Sequence, residues 1–298
     1  MNDSAHHTRL PAALYVVATP IGNLGDITLR ALDTLRGVDR VAAEDTRVSG
    51  QLLAHFGIKK PLVSIREHNE LAAAQKVIDQ ITAGEAVAYV SDAGTPAISD
   101  PGARLVAAVR AAGLLVVPIP GTSAVTTALS VAGLGMGAWL FHGFLPPKSG
   151  ARKQALQGLS GVNAALVFYE APHRVTETVD DMTSVLDPAR RLTIARELTK
   201  RFETILTLPL KDARSWLESD PNNLRGEFVL IVHPPAAAES ADDTEALRVL
   251  GVLLGELPAS TASKLAAQLS GRKKAELYKM ALALKPLSHP EDSSEDDA

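Results

Sequence analysis

The feature that most constrains this chain is a fivefold alternation across its first 123 residues. Short apolar-rich runs occur at Leu14 to Ala18, Val38 to Ala43, Leu62 to Ile65, Ala86 to Val90 and Leu114 to Ile119, separated by segments with helical apolar spacing such as Leu29, Leu32 and Leu35. Apolar runs bounded by turn residues predict buried strands of a parallel sheet. Regular strand–helix alternation predicts helices on both faces of that sheet. Each run breaks into polar or turn-forming residues: Thr19-Pro20-Ile21-Gly22-Asn23, Glu44-Asp45-Thr46-Arg47, Glu67-His68-Asn69-Glu70, Ser91-Asp92-Ala93-Gly94-Thr95-Pro96 and Pro120-Gly121-Thr122-Ser123. Ligands of open α/β sheets bind beyond the carboxyl ends of the strands, so five such loops on one rim predict a site. Taken alone, the 91–96 loop is equally a ligand loop or an ordinary turn; its four companions favour the ligand loop.

The alternation restarts after Leu134-Gly135-Met136-Gly137. Strands are expected at Trp139–His142, Ala164–Phe168, Leu192–Ala195, Phe202–Leu206 and Glu227–Val232, with helices at Arg152–Leu159 and Val175–Leu186. The close succession around 192–206 predicts antiparallel pairing and a mixed second sheet. The expected organisation is a flexible arm (1–12), an α/β domain (13–133), a second α/β domain (134–233), a linker (234–243), a small helical module (244–286) and an acidic tail (287–298). Within the module, helices are expected at Thr244–Leu254, Ser260–Leu269 and Arg272–Leu284. The last two, joined at Ser270-Gly271, resemble a helix-turn-helix. A plain bundle supporting a dimer fits the same pattern.

Charge matters here by position. The net −4 hides five acids within the last eight residues, without which 30 bases face 29 acids. Between Lys264 and Lys285 stand six bases (Lys264, Arg272, Lys273, Lys274, Lys279, Lys285) and one acid, Glu276. That stretch is a candidate nucleic-acid surface, or else a solvated helix face. The absence of cysteine excludes disulfides, thiolate metal sites and a cysteine nucleophile. The eight histidines never show HxxxH spacing, so no metal is expected. No apolar stretch reaches the roughly 18–20 residues of a membrane span, and the first ten residues lack a signal-peptide core. A cytoplasmic protein with no membrane contact is expected. Gly133-x-Gly135-x-x-Ala138 imitates a dinucleotide fingerprint, but it follows a helix and precedes a strand, the reverse of what that motif requires. No Walker A string or Gly-x-Ser-x-Gly elbow occurs.

The strings TPIGNLGD (19–26), AAEDTR (42–47), EHNE (67–70), SDAGTP (91–96), PGTSA (120–124), GFLPPK (143–148), FYEAPHR (168–174), ARELTK (195–200) and Gly226-Glu227 together resemble the tetrapyrrole-methylase superfamily, the class III S-adenosylmethionine methyltransferases. They are most similar to its branch that 2′-O-methylates a cytidine ribose in the decoding region of 16S rRNA. The resemblance implies two α/β domains with S-adenosylmethionine in the cleft between them, a homodimer, and 16S rRNA within the small ribosomal subunit as partner. It places Pro20, Ile21 and Gly22 in a first cofactor loop, Asp92, Gly94 and Thr95 in a second, and Thr122 and Ser123 in a third. Phe168, Tyr169, Leu198, Gly226 and Glu227 would close over the cofactor from the second domain. The first loop departs from the GxGPG string of many relatives, having Pro20-Ile21-Gly22-Asn23 instead.

A methyl-accepting ribose hydroxyl is weakly acidic, so a base or cation beside it would help. Rim candidates are Glu44, Asp45, Arg47, His68, Asn69 and Glu70. Asp45 and Arg47 are expected to shape the acceptor pocket, with Glu44 a less favoured base; a structural salt-bridge cluster is the alternative for EDTR. Asp92 is expected near backbone or ribose, not paired with sulfur. Candidate substrate contacts are Lys148, Arg272, Lys273 and Lys274. Two other functions fit the chain: a small-molecule or diphthine-type methylase, and a cofactor-responsive nucleic-acid-binding regulator.

Overall fold

The computed structural model describes residues 10–65, 70–235 and 241–284. Residues 1–9 of the expected arm, Glu67, His68 and Asn69 of the third rim loop, the middle of the linker, Lys285 and the acidic tail lie outside the described residues.

The first sheet comprises β1 (Ala13–Val17), β2 (Arg40–Ala43), β3 (Leu62–Ser64), β4 (Ala86–Val90) and β5 (Val116–Ile119), in the order β3-β2-β4-β1-β5. Every pairing in it is parallel. Four helices cover it: α1 (Leu29–Gly37), α2 (Thr46–His55), α3 (Glu70–Thr82) and α4 (Ala103–Ala111). The two-residue period of the strands sorts their side chains between two cores. Ala13, Tyr15 and Val17 meet Ala31 and Leu35 of α1 and Leu53 of α2. Leu14 faces the opposite way, towards Ala74 and Val77 of α3 and Leu105 and Val109 of α4. The chain therefore leaves β1 towards one face and leaves the adjacent β4 towards the other. That divergence is a topological switch point, and it opens a crevice between the loops after β1 and β4.

The residues Gln51 to Phe56 read as helical in the sequence, but α2 starts five residues earlier, at Thr46. Asp45 has extended backbone, and its carboxylate accepts the Arg47 N–H, so it caps the helix. EDTR is thus a strand end passing directly into a first helical turn.

After β5, helix α5 (Ala124–Val131) leads to the second sheet: β6 (Trp139–Phe144), β7 (Ala165–Glu170), β8 (Arg191–Arg196), β9 (Thr204–Pro209) and β10 (Phe228–Val232). Its order is β6-β7-β10-β8-β9. Strands β6 and β7 are parallel and the other neighbours antiparallel, which makes the sheet mixed. Helices α6 (Ser149–Leu159), α7 (Val175–Val185) and α8 (Ala213–Glu218) cover one face, over Leu166, Phe168, Ile194 and Leu230. The other face, with Val167, Ala195, Val229 and Ile231, packs on Val125, Ala128 and Ala132 at α5. Helix α5 thus covers that face of the second sheet, and residues 1–234 form one compact unit.

Residues 235–298 form a second unit. In it α9 (Ala241–Leu254), α10 (Ala259–Ser270) and α11 (Lys274–Leu284) enclose Ala246, Leu250, Ala262, Ala266, Leu277 and Ala281. Helix α11 begins at Lys274, not at the expected Arg272. Gly271, at φ +71°, ends α10 in the left-handed conformation, and Arg272 and Lys273 form the turn. Among the described residues no helix is long and apolar enough to cross a membrane.

Candidate active site

Three rim loops are joined by hydrogen bonds between their backbones and threonine hydroxyls. Thr19 and Gly94 exchange N–H···O bonds of 2.9 and 3.0 Å, tying the loop after β1 to the loop after β4. The Thr122 hydroxyl donates to the Thr19 carbonyl, and the Thr95 hydroxyl donates to the Thr122 carbonyl at 2.9 Å. This explains why small hydroxylated residues recur in TPIGN, SDAGTP and PGTS: each satisfies a backbone group where the chain leaves the sheet. Gly94 turns at φ +76°, and a Cβ added there would stand 3.3 Å from the Ile21 side chain.

Between these loops and the second sheet lies a cavity of about 350 Å³. Its first wall is built from Ile21, Ala93, Gly94, Thr95, Ile98, Ser99, Asp100, Ser123 and Ala124. Its second wall comprises Phe144, Tyr169 to Pro172, Leu198 and Glu227 to Val229. The size and the mixture of apolar walls with few polar groups suit a small cofactor. At the start of α5, Ser123 and Ala124 line the cavity and Ser123 makes no side-chain cap, so a helix N-terminus, which favours a carboxylate, adjoins it. Burial pushes the Tyr169 phenol up to about 12, although the Val125 N–H bond pulls the other way. Tyr169 is therefore a neutral wall and hydrogen-bonding group at ordinary pH.

The expected cofactor residues divide into two groups. Ile21, Gly94, Thr95, Ser123, Tyr169, Leu198 and Glu227 line the cavity. Pro20, Gly22, Asp92, Thr122 and Gly226 lie in the same loops without lining it. Phe168 is a correction: its side chain is fully buried on the helix-covered face with Leu166 and Leu230. Strand alternation sends Phe168 one way and Tyr169 the other, so only the tyrosine reaches the cleft. The residues that sequence reasoning passed over include Asp100, Phe144 and the Glu170-Ala171-Pro172 turn. Phe144 sat within the recognised GFLPPK string, and Asp100 within the turn that follows SDAGTP.

The second wall is held by charge. Lys200 Nζ donates to Glu197 Oε1 at 2.8 Å and to Glu227 Oε2 at 2.7 Å. Its aliphatic stem lies against Gly22, where a Cβ would come within 2.6 Å of two of its carbons. Burial pushes the Glu197 carboxyl up, but Lys200 and the Glu227 N–H outweigh it and hold it below the ordinary range. Glu197 and Thr199 both have positive φ (53° and 66°), and between them Leu198 lines the cavity. Gly226 at φ +92° permits the tight approach of Glu197, whose Cγ would lie 2.3 Å from an added Cβ. Below this wall, Glu170 is buried and accepts from Thr178 at 2.6 Å and from the Ala171 N–H at 2.8 Å. Arg174 pairs with it and donates to the Leu145 carbonyl at 2.7 Å, fixing the chain after β6. Lys148 stands exposed at the start of α6.

The EDTR turn forms an acidic rim beside the cavity. Arg47 grips both Asp45 oxygens, at 3.1 and 2.6 Å, while its own side chain is 81% exposed. The Asp45 N–H donates to Asp92 Oδ1 at 3.0 Å, and the Asp92 N–H to Glu44 Oε2 at 3.4 Å. Asp92 therefore braces two loops through backbone. Burial pushes the Glu44 carboxyl up, the Asp92 N–H opposes this, and the charges of Asp92, Asp100 and Asp45 push it further up. Glu70 is not a rim group: it is buried and accepts the Gly102 and Leu105 N–H groups, both at 3.0 Å, at the start of α4. No cluster of described residues could hold a metal ion.

Residues 13–214 match the Tetrapyrrole (Corrin/Porphyrin) Methylases. This chain belongs to the tetrapyrrole methylase family. Residues 240–285 match a second family, the RsmI C-terminal HTH domain. A Vibrio cholerae protein named ribosomal RNA small subunit methyltransferase I is 50% identical over 270 residues, covering 90% of this chain and 94% of its own. The Escherichia coli O157:H7 protein of the same name is 47% identical over 269 residues, again covering 90% and 94%. Among solved structures of this fold, the methyltransferase CobJ superposes with a TM-score of 0.57 at 19% identity, over 75% of this chain and 95% of that one. A Thermus thermophilus uroporphyrin-III C-methyltransferase, complexed with S-adenosyl homocysteine, gives 0.52 at 17%, over 74% and 97%. As a family member the chain has the methylase fold.

Proposed function

We propose that this chain is an S-adenosylmethionine-dependent methyltransferase that 2′-O-methylates a cytidine ribose in the decoding region of 16S rRNA. One observation carries the reading: proteins named ribosomal RNA small subunit methyltransferase I match it across both the cleft and the C-terminal helices, at 47–50% identity over 90% of its length. The enzyme works in the cytoplasm as a homodimer on the small subunit.

The cofactor supplies an activated methyl group with a positively charged leaving sulfur. The chain's own residues bind and orient it. Backbone donors at the start of α5 would hold the amino-acid carboxylate, the Gly94 and Thr95 turn would adjoin the ribose, and Ile21, Leu198 and Val229 would supply the apolar slot. Asp92 braces loops, leaving the sulfur free of a tight counter-ion that would stabilise the ground state over the transition state. Alignment of the reacting atoms then supplies most of the acceleration. Arg47 presents its exposed guanidinium at the acceptor side, and Lys148, Arg272, Lys273 and Lys274 meet RNA phosphates. Residues 244–286 act as an RNA-docking module, a use that a small-molecule methylase lacks. The test is mass mapping of 16S rRNA from cells with and without the protein. A single 2′-O-methylcytidine lost on deletion and restored by the gene supports the reading; an unchanged rRNA map overturns it.

A further inference from the structure

Resting on that reading, we propose that Phe144 is the platform on which the base of the acceptor nucleotide stacks while its ribose is methylated. The cavity is of a size for the cofactor, so the acceptor has to lie against its mouth. A ribose hydroxyl reaches such a pocket when its nucleotide leaves the stack of its neighbours, and the uncovered faces of the base then need a new partner. Among the large apolar side chains of the lining, Ile98 and Phe144 are the ones with half their surface open, at 50% and 51%. Of the two, only Phe144 offers a ring. The other aromatic members of the lining are committed elsewhere. Phe228 is buried in the core under the helices. Tyr169 is part-buried, bonds the Val125 N–H, and meets the rings of Phe141 and Phe144 at centroid distances of 5.0 and 5.6 Å.

The fold aims Phe144 at the cleft through an irregularity in β6. That strand runs in step with β7 from Trp139 opposite Ala165 to Phe141 opposite Val167, and Val167 lies on the face that packs on α5. Continued in step, Gly143 would stand opposite Tyr169, and Phe144 opposite Glu170 on the helix-covered face. Instead the register shifts between Phe141 and Gly143, which brings Phe144 opposite Tyr169. One extra residue thus moves the phenylalanine from the helix-covered face to the cleft. Gly143 carries the shift at φ +81° and passes close to the loop after β4, where the Ser99 hydroxyl oxygen would lie 3.3 Å from an added Cβ. The chain beyond is braced. Leu145 is buried, and Arg174 donates to the Leu145 and Pro146 carbonyls at 2.7 and 3.3 Å. Fully buried Arg152, held by Asp181 at 2.6 Å, donates to the Pro147 carbonyl at 3.3 Å. Three successive carbonyls fixed by two arginines leave the ring on a rigid support, so little freedom is lost when a base settles on it. A scattered exposed phenylalanine needs no explanation. One turned outward by a bulge, braced from behind and set at a cavity mouth does. Stacking tolerates any base, so Phe144 supplies affinity and alignment rather than the choice of base.

The test compares wild type with Phe144→Ala, Phe144→Leu and Phe144→Tyr, using small-subunit particles that lack the modification. The single-turnover rate at sub-saturating particle concentration should fall about 5- to 150-fold in Phe144→Ala. Phe144→Tyr keeps a ring and should stay within about threefold of wild type. Phe144→Leu keeps an apolar side chain without a ring and should stay within about threefold of the alanine variant. Because the residue is half exposed, melting temperatures should remain within about two degrees, and calorimetric affinity for S-adenosyl homocysteine within about twofold. A leucine variant as active as wild type overturns the proposal, since apolar contact would then suffice. So does a loss of cofactor affinity that matches the loss of rate, which would put Phe144 in the cofactor slot. If wild-type protein methylates no particle, the function proposed above falls and the stacking role with it; normal wild-type turnover beside a neutral leucine variant removes the stacking role alone.

Discussion

Replacing Lys200 with methionine isolates the charge that closes the second wall over the first loop. Methionine keeps an unbranched stem against Gly22 and removes only the ammonium. The Lys200–Glu197 pair is shielded on both sides, 27% and 19% exposed, and its hydrogen bond is 2.8 Å. A hydrogen bond to a charged partner in such a setting contributes about 1.5–3 kcal/mol. The Glu227 carboxylate is 80% exposed, so after solvent screening its pairing adds about 0–1 kcal/mol. Lys200→Met should therefore destabilise the 1–234 unit by about 2–3 kcal/mol, read as a fall in melting temperature of about 4–12 °C. The effect should depend on pH with a definite sign. The Glu197 carboxyl is held below its ordinary value, so its contribution is present above the unfolded value of about 4.3 and disappears as pH falls through the folded value. Burial lowers the Lys200 value, but Glu197 and Glu227 outweigh this and raise it. The lysine contribution is thus present below about 10.4 and disappears as pH rises through the folded value. The gap between wild type and variant should stay level from about pH 5 to 9 and close at both ends. Thermal unfolding across that range, with Glu197→Gln completing a double-mutant cycle, measures it. A penalty under about 0.5 kcal/mol at pH 7, or a gap unchanged at pH 3, would refute the reasoning.

Two further outcomes follow from the rim and the helical unit. Arg47→Ala should leave cofactor affinity within about twofold while weakening use of the RNA substrate. Asp45→Asn should in addition cost about 1 kcal/mol or less of stability, because asparagine still caps α2; near-normal turnover in both variants would make EDTR purely structural. Replacing Arg272, Lys273 and Lys274 with alanine should reduce the salt slope of RNA binding by about one per cation that meets a phosphate, with cofactor affinity intact. An unchanged slope would remove these residues from the interface.

Much of the scaffold was legible locally. The strands of the first sheet announce themselves as Val-, Ala- and Leu-rich runs because both of their faces are buried, and the rim loops announce themselves as the places where those runs break. A parallel sheet puts all such breaks on one edge, so the rim that lines the cavity followed from alternation alone. The antiparallel β8–β9 pair was equally readable, since so short a connection leaves no room for a crossover. The start of α2 was missed because a helix N-cap and a catalytic-looking turn use the same residue types: Asp45 followed by Thr46 and Arg47 serves either.

What the sequence by itself determined was therefore the fold class, the rim and, through the motif strings, the family. Tertiary structure alone decided which side chains reach the cleft. A strand alternates its side chains whatever their chemistry, so the face that meets α5 selects Tyr169 over Phe168. Glu70 and Glu170 look like acids available for chemistry, yet one caps α4 and the other holds Arg174. Asp100 looks like part of a turn, yet it lines the cavity. Those differences arise from partners distant in the chain, such as Gly102 for Glu70 and Leu145 for Arg174, which come together only once each sheet has formed and its helices have packed on it.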